Sequence, residues 1–123
     1  AIAILHPDGR KRWNGGGRPA VWRSNIVKRS PLHDTEKPVS LICQLVEDFT
    51  DEGETVADPC CGSGTTAIAC LRTGRRCTLI ELDGEHCETA MERIRKEIER
   101  FPLWESKAKP RQLELTECRS ATT

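Results

Sequence analysis

The sequence predicts an α/β domain built on a parallel βαβ core with flanking helices. From Pro38 onward, stretches with helical spacing of apolar residues alternate with short apolar runs of strand length. A glycine turn, Gly62-Ser63-Gly64, joins the strand that ends at Asp58 to the next helix. This strand–helix–strand order implies parallel strands with a right-handed crossover, and ligands bind at the carboxyl ends of such strands.

From Pro38 onward, five elements are predicted in order along the chain. Pro38 suits the first position of a helix, and Gly74 suits the C-cap of a later one. The predicted elements are a helix over 38–50, a buried strand over 55–57, a helix over 65–73, a strand over 76–82 and a helix over 84–100. We divide the chain into a basic strand-and-loop segment (1–32), an α/β core (33–101) and a polar tail (102–123).

Charge is distributed unevenly, although the formal net charge of the 123 residues is zero. The first 30 residues hold seven basic groups and one acidic group, so the remainder is acidic by the same margin. This split indicates a segment that faces a polyanion or a solvated basic loop, and charge alone favours the second interpretation. Trp13 and Trp22 lie in this segment, where they either stack on bases or anchor the loop to the core.

Hydropathy and cysteine spacing exclude several classes of protein. No apolar run approaches the roughly 20 residues that span a membrane, and the N-terminus does not resemble a signal peptide. The seven cysteines include no CxxC pair, so their spacing argues against zinc and we predict no metal ligand. An odd number of cysteines, most of them inside apolar runs, indicates a reducing compartment, and we expect a cytoplasmic location.

The chemistry is concentrated between Asp58 and Thr66, together with Glu81. Glu81 follows Gly62 by 19 positions and lies at the predicted end of the second strand. The glycines let a ligand approach the backbone, and the helix N-terminus presents unpaired N–H groups. An acid at the second strand end accepts hydrogen bonds from ribose hydroxyls. The pattern therefore fits an adenosine-bearing cofactor, a dinucleotide included.

Asp58 separates these cofactors by charge. A carboxylate at the mouth of the glycine turn repels the pyrophosphate of NAD or FAD but suits the ammonium and sulfonium groups of S-adenosylmethionine (SAM). The alternative is that Asp58 only caps the turn before the helix. Beside a SAM site, Lys37 becomes a partner for the methionine carboxylate and Thr35 a hydroxyl donor. In isolation, their segment is typical of a polar loop before a helix.

Two motif clusters together resemble the amino-methylating DNA methyltransferases, in the group whose target-base motif precedes the SAM motif. The clusters are His33-Asp34-Thr35-Glu36-Lys37-Pro38 and Asp58-Pro59-Cys60-Cys61-Gly62-Ser63-Gly64-Thr65-Thr66, followed by Gly74-Arg75-Arg76 and Glu81-Leu82-Asp83. The stretch from Trp13 to Trp22 is similar to a loop of phage and restriction-modification members. The resemblance implies a partial Rossmann-like SAM-dependent methyltransferase fold. It also implies methyl transfer to adenine N6 or cytosine N4 of double-stranded DNA with the target base flipped.

The resemblance also implies a role for each cofactor-binding position. Lys37 and Thr35 would hold the methionine carboxylate, and His33 belongs to the same cofactor motif. Asp58 and the loop residues Cys60, Cys61, Gly62, Ser63 and Gly64 would surround the methionine end, with Thr65 and Thr66 opening the helix. Glu81 would bind the ribose hydroxyls, and Leu82 and Asp83 would border the adenine. Two positions depart from the family pattern, since Cys60 stands where Phe is usual and Asp34 where Pro is frequent.

The Pro-Pro-aromatic motif that grips the target amino group in this family is not found in the sequence. We therefore assign no catalytic residue. We expect the chain to be the cofactor-binding part of a methyltransferase whose N-terminal catalytic part is separate or missing, and to be inactive alone. One alternative is a catalytically inactive SAM-binding remnant or accessory subunit. Another is a fragment of a dinucleotide-binding oxidoreductase, against which Asp58 and Lys37 argue.

Overall fold

The computed structural model of the chain describes residues 12–24 and 37–100. The elements follow in the order α1 (Val39–Phe49), β1 (Thr55–Asp58), α2 (Thr65–Thr73), β2 (Arg76–Leu79) and α3 (Gly84–Arg100). The predicted order is confirmed, and the bounds of α2 and α3 agree with the prediction. Within these two ranges, no helix is long and apolar enough to cross a membrane. The predicted tail over 102–123 lies outside the described residues.

The two strands form a parallel pair in which Thr55 is opposite Arg76 and the last residue of β1 is opposite Leu79. Exposed and half-buried residues alternate along both strands, because successive side chains point to opposite faces. Cys77 and Leu79 pack toward the helices, whereas Ala57 is exposed. The prediction of a buried strand over 55–57 is therefore wrong for one face, since the described helices cover one side of the pair.

The second strand is shorter than predicted and ends at Leu79 rather than at residue 82. Ile80 still lies beside β1, since its N–H donates to the Asp58 carbonyl (2.9 Å) and its carbonyl accepts from the Cys61 N–H (3.1 Å). Beyond Ile80 the chain turns toward α3, and the Glu81 carboxylate accepts the next two N–H groups. The turn leaves Glu81 at the carboxyl end of the sheet, where it was predicted.

The helices pack on the covered face through a small apolar core formed by Ala67 and Ile68 of α2 and Ile94 of α3. α2 lies between its two neighbours, because it contacts both α1 and α3. Gly74 ends α2 in the left-handed conformation, with a φ of 72°, and its N–H donates to the Cys70 carbonyl. The predicted glycine C-cap is therefore confirmed.

Residues 12–24, which we name the tryptophan loop, cover the C-terminal end of α1. The ring centroids of Trp13 and Trp22 lie 5.5 and 6.1 Å from that of Phe49. The Trp22 indole N–H donates to the buried Asp48 carboxylate over 2.8 Å. Of the two roles considered for these tryptophans, anchoring the loop to the core is confirmed.

The tryptophan loop also supplies the hydrogen bonds that α1 lacks at its C-terminal end. The last carbonyls of a helix have no partner within the helix. The Asn14 side-chain amide donates to the carbonyls of Glu47 (3.0 Å) and Thr50 (2.9 Å), and its backbone N–H donates to the Asp48 carbonyl (2.7 Å). One loop residue therefore caps the end of a helix more than 30 positions away.

Arginines of the tryptophan loop form ion pairs with carboxylates of the core. Arg18 pairs with Asp48, and Arg12 pairs with Asp51 and Glu54. These partners are 30 to 42 positions away in the sequence. The sequence interpretations of the segment, as a surface for a polyanion or as a solvated loop, therefore included no ion pairs. The ion pairs reduce the positive charge that this part of the segment presents to a polyanion.

Candidate cofactor site

Asp58 ends β1 and organises the turn that follows. One carboxylate oxygen accepts from the Cys60 backbone N–H over 3.1 Å, and the other accepts from the Thr66 hydroxyl over 2.6 Å. The first contact is an Asx turn, and the second ties the end of the strand to the first turn of α2. Asp58 therefore holds the turn, and its half-buried carboxylate lies at the mouth predicted for it.

Glu81 connects the end of β2 to the same turn. Its Oε2 accepts from the Gly62 N–H over 2.7 Å, and its Oε1 accepts from the N–H groups of Leu82 (2.9 Å) and Asp83 (3.0 Å). The hydrogen bonds from the backbone of Asp83 and Gly62 hold the pKa of this carboxyl below its ordinary value. Glu81 is therefore an ionised acceptor at the carboxyl ends of two neighbouring parallel strands.

The backbone between these carboxylates takes a shape that requires glycine. Residues 59–64, which we name the glycine loop, contain Gly62 and Gly64 with φ angles of 50° and 78°. A Cβ at Gly64 would lie 2.9 Å from the Cβ of Ala90, whereas a Cβ at Gly62 would meet nothing within 4 Å. Gly64 therefore allows α3 to approach, and Gly62 leaves its backbone open to a ligand.

A contact that sequence reasoning missed holds the middle of the glycine loop. Arg93 of α3 donates through Nη1 to the carbonyl of Ser63 (2.6 Å) and to its hydroxyl (2.7 Å). Ser63 is buried, as are Gly64 and Thr65 after it. A signal exists in the sequence, because Arg93 follows Ala90 by three positions on the face of α3 that points inward.

Glu81, Leu82 and Asp83, which follow one another before α3, differ in their contacts. Asp83 caps α3, since its Oδ1 accepts from the N–H groups of Glu85 (2.9 Å) and His86 (3.1 Å). The hydrogen bond from His86 lowers the pKa of the Asp83 carboxyl. Leu82, between the two acids, has a side chain that is wholly exposed. Leu82 and Asp83 are therefore linked to the glycine loop through Glu81, which accepts from their N–H groups and from that of Gly62.

The remaining predicted site residues differ in exposure, and two of them lie outside the described part of the chain. Cys60 is exposed, and burial raises the pKa of the half-buried Cys61 thiol. Lys37 is exposed just before α1, whereas His33 and Thr35 lie outside the described residues. Over the described ranges, no three His, Cys, Asp or Glu side chains come together as a metal site.

The assembled site has the chemistry of a receptor for a cationic ligand that carries hydroxyl groups. Asp58 and Glu81 bring two carboxylates to one edge of the sheet, and both still have unused acceptor lone pairs. Gly62, whose N–H donates to Glu81, has open space where a Cβ would lie. A pyrophosphate would meet this negative charge unfavourably, whereas an adenosyl group attached to a sulfonium fits it.

Known proteins similar to this chain are methyltransferases. Residues 7–92 match the DNA methylase family N6_N4_Mtase. Type II methyltransferase M2.DpnII of Streptococcus pneumoniae is 34% identical over 83 residues, which are 64% of this chain and 31% of that protein. Type II methyltransferase M.HpaI of Haemophilus parainfluenzae is 33% identical over 91 residues, which are 70% of this chain and 29% of that protein.

A solved structure agrees in fold as well as in sequence. The crystal structure of an M1.HpyAVI–SAM complex aligns with this chain at 30% identity and a TM-score of 0.59. The alignment covers 71% of this chain and 45% of the M1.HpyAVI chain. The α/β fold is therefore a partial Rossmann-like methyltransferase fold. The chain spans 29–31% of the length of the two curated relatives. The family match includes both motif clusters, and the chain belongs to the N6/N4 family of DNA methylases.

Proposed function

We propose that this chain is the SAM-binding part of a DNA methyltransferase that modifies an exocyclic amino group, adenine N6 or cytosine N4. The observation that carries the proposal is the contact between the Glu81 carboxylate and the Gly62 N–H, 2.7 Å apart at the carboxyl ends of β1 and β2. This contact brings a carboxylate that can accept from ligand hydroxyls next to a glycine with open space where a Cβ would lie. Family membership supplies the reaction type.

In this proposal Glu81 binds the ribose hydroxyls with the acceptor lone pairs that its backbone contacts leave unused. Leu82 and Asp83 border the adenine. Asp58 attracts the cationic methionine end, which Cys60, Cys61, Gly62, Ser63 and Gly64 surround with backbone groups, and Thr65 and Thr66 open the adjacent helix. Lys37, with Thr35 and His33 in the same motif, binds the methionine carboxylate.

When bound, SAM supplies a methyl group activated by the adjacent sulfonium. The residues of this chain contribute by holding that group in place and by excluding water around it. The partner is double-stranded DNA whose target base is flipped out of the stack, because an amino group inside a duplex is out of reach. We also propose a cytoplasmic location, in keeping with the odd number of cysteines and the position of most of them in apolar runs.

A narrower role, cofactor binding without methyl transfer, is favoured by one feature of the sequence. The chain contains no Pro-Pro pair with which to orient a target amino group. We therefore propose that this chain alone binds SAM and does not methylate DNA. A radiolabelled methyl-transfer assay on mixed-sequence duplex DNA tests this, and incorporation above background by the chain alone would contradict it.

Calorimetry with S-adenosylhomocysteine tests the site. Glu81→Ala and Asp58→Ala are each expected to weaken binding about tenfold or more, because each loses hydrogen bonds that involve a charged group. Glu88→Ala is the matched control, since Glu88 is an exposed acid on α3 and is not a member of the glycine loop. Unchanged affinity in both site variants would refute the assignment. Displacement of SAM by NAD at equal concentration would favour a dinucleotide enzyme instead.

A further inference from the structure

Two charged side chains from different elements hold adjacent residues of the glycine loop. Glu81, beyond β2, accepts from the Gly62 N–H, and Arg93 of α3 donates to the Ser63 carbonyl (2.6 Å) and hydroxyl (2.7 Å). Ser63 has only 7% of its surface exposed. The carbonyl contact fixes the orientation of the Ser63 peptide, and the hydroxyl contact fixes its side chain.

The next loop residue is fixed by packing against the same helix. Gly64 lies so close to Ala90 that an added Cβ would come within 2.9 Å of the Ala90 Cβ. Ala90 precedes Arg93 by about one helical turn. Consequently α3 contacts the glycine loop at two successive positions, once through close packing and once through charge-assisted hydrogen bonds.

The attachment of α3 to the rest of the domain does not depend on Arg93 alone. Ile94 packs in the core with Ala67 and Ile68 of α2. The buried Glu97 carboxylate of α3 accepts a hydrogen bond from Arg72 of α2. These contacts join the two helices directly. The contacts of Arg93 with Ser63 instead connect α3 to the backbone of the glycine loop.

We propose that Arg93 is a positioning residue of the SAM site, which holds the Ser63 peptide so that residues 62–65 keep the shape that receives the cofactor. This inference rests on the proposed function, since it concerns the same site. Its direct consequence is that loss of the guanidinium loosens the glycine loop and weakens cofactor binding, while the helices stay packed.

The test compares Arg93→Met and Arg93→Lys with Arg95→Met, a matched control at an exposed arginine of the same helix. Calorimetry with S-adenosylhomocysteine is expected to show about tenfold weaker binding for Arg93→Met, because hydrogen bonds to a charged group are lost. Arg93→Lys is expected to recover part of the affinity, since an ammonium can keep one of the two contacts. Arg95→Met is expected to bind like the parent.

Amide hydrogen exchange in the ligand-free protein gives a second readout. Arg93→Met should speed exchange at residues 62–65 about tenfold relative to Arg95→Met and leave the core of α2 unchanged. Equal affinity and equal loop exchange in these two variants would overturn the proposal, even if Arg93→Met lowered the unfolding temperature. If Arg93→Met does not fold, Ser63→Ala, which removes the hydroxyl acceptor, is expected to show both effects in weaker form.

The same measurements separate this inference from the proposed function. If the parent chain binds no S-adenosylhomocysteine, the proposed function fails, and exchange at residues 62–65 alone decides whether Arg93 positions the loop. If the parent binds and Arg93→Met binds equally well with unchanged loop exchange, the positioning role fails and the proposed function stands.

Discussion

The tryptophan loop and the glycine loop both depend on buried or half-buried carboxylates, but these carboxylates find their partners at different distances along the chain. Asp48 is 2% exposed and binds Arg18 and Trp22, which lie 30 and 26 positions before it. Asp58 accepts from residues two and eight positions after it. Glu81 accepts from the two residues that follow it and from the glycine loop.

Because of this difference, we expect the Asp48 carboxylate to serve stability and those of Asp58 and Glu81 to serve ligand binding. The Asp48 carboxylate is enclosed by its own chain, so its hydrogen bonds contribute to folding and leave no surface for a ligand. The carboxylates of Asp58 and Glu81 are half-buried beside an open glycine backbone, so they remain within reach of a ligand. Changes in the tryptophan loop are therefore expected to lower the free energy of unfolding, and changes around the glycine loop to lower affinity.

The largest effect on stability is expected for Asp48→Ala. The change removes the acceptor for the Trp22 indole and the partner of Arg18, and should lower the free energy of unfolding by about 3 kcal/mol. Urea unfolding followed by tryptophan fluorescence measures it, with Glu47→Ala as the control at an exposed neighbouring acid. A loss below about 1 kcal/mol, or a large loss of S-adenosylhomocysteine affinity at a temperature where the variant is folded, would break the comparison.

A smaller effect is expected for Gly64→Ala, with Gly53→Ala as its control. Both glycines have positive φ, 78° and 82°, so both variants should lose about 1 kcal/mol from backbone strain. Only at Gly64 does the new Cβ meet a neighbour, Ala90, which should raise the loss to about 2 kcal/mol. Urea unfolding and calorimetry compare the two variants. Equal losses, or unchanged affinity in Gly64→Ala, would show that the approach of α3 does not shape the loop.

The smallest effect is expected on the pH dependence of stability in Glu81→Gln. Backbone hydrogen bonds from Asp83 and Gly62 lower the pKa of Glu81 in the folded chain, so its contribution to stability is present above the unfolded pKa of about 4.3. That contribution disappears as pH falls through the lower, folded pKa. The urea midpoint of the parent should therefore fall more steeply below about pH 4.5 than that of Glu81→Gln.

The two curves should run parallel above about pH 5, where the carboxylate is ionised in both the folded and unfolded chains. Glu54 and Asp83, whose pKa values are also lowered, titrate in both proteins, so the difference between the curves isolates Glu81. Identical curves at low pH would mean that the backbone contacts of Glu81 do not favour its ionised form.

The features that the sequence predicted are those determined by neighbouring residues. The order of elements, the glycine cap at Gly74 and the position of Glu81 follow from periodicity and turn chemistry within a few residues. The contacts of Asp48 and Arg93 join residues 26 to 30 positions apart, which no local pattern encodes. Asp48 gave one indirect signal, since an acid in the last turn of a helix is disfavoured by the helix dipole and needs another reason to be there.

Leu82 has a consequence for the heat of binding. Its side chain is fully exposed and lies between two acids whose carboxylates accept hydrogen bonds from the backbone. A ligand that covers it removes apolar surface from water, which contributes about 1.5–3 kcal/mol for full burial of a leucine. Because burial of apolar surface lowers the heat capacity, association at this edge of the sheet becomes more exothermic as temperature rises.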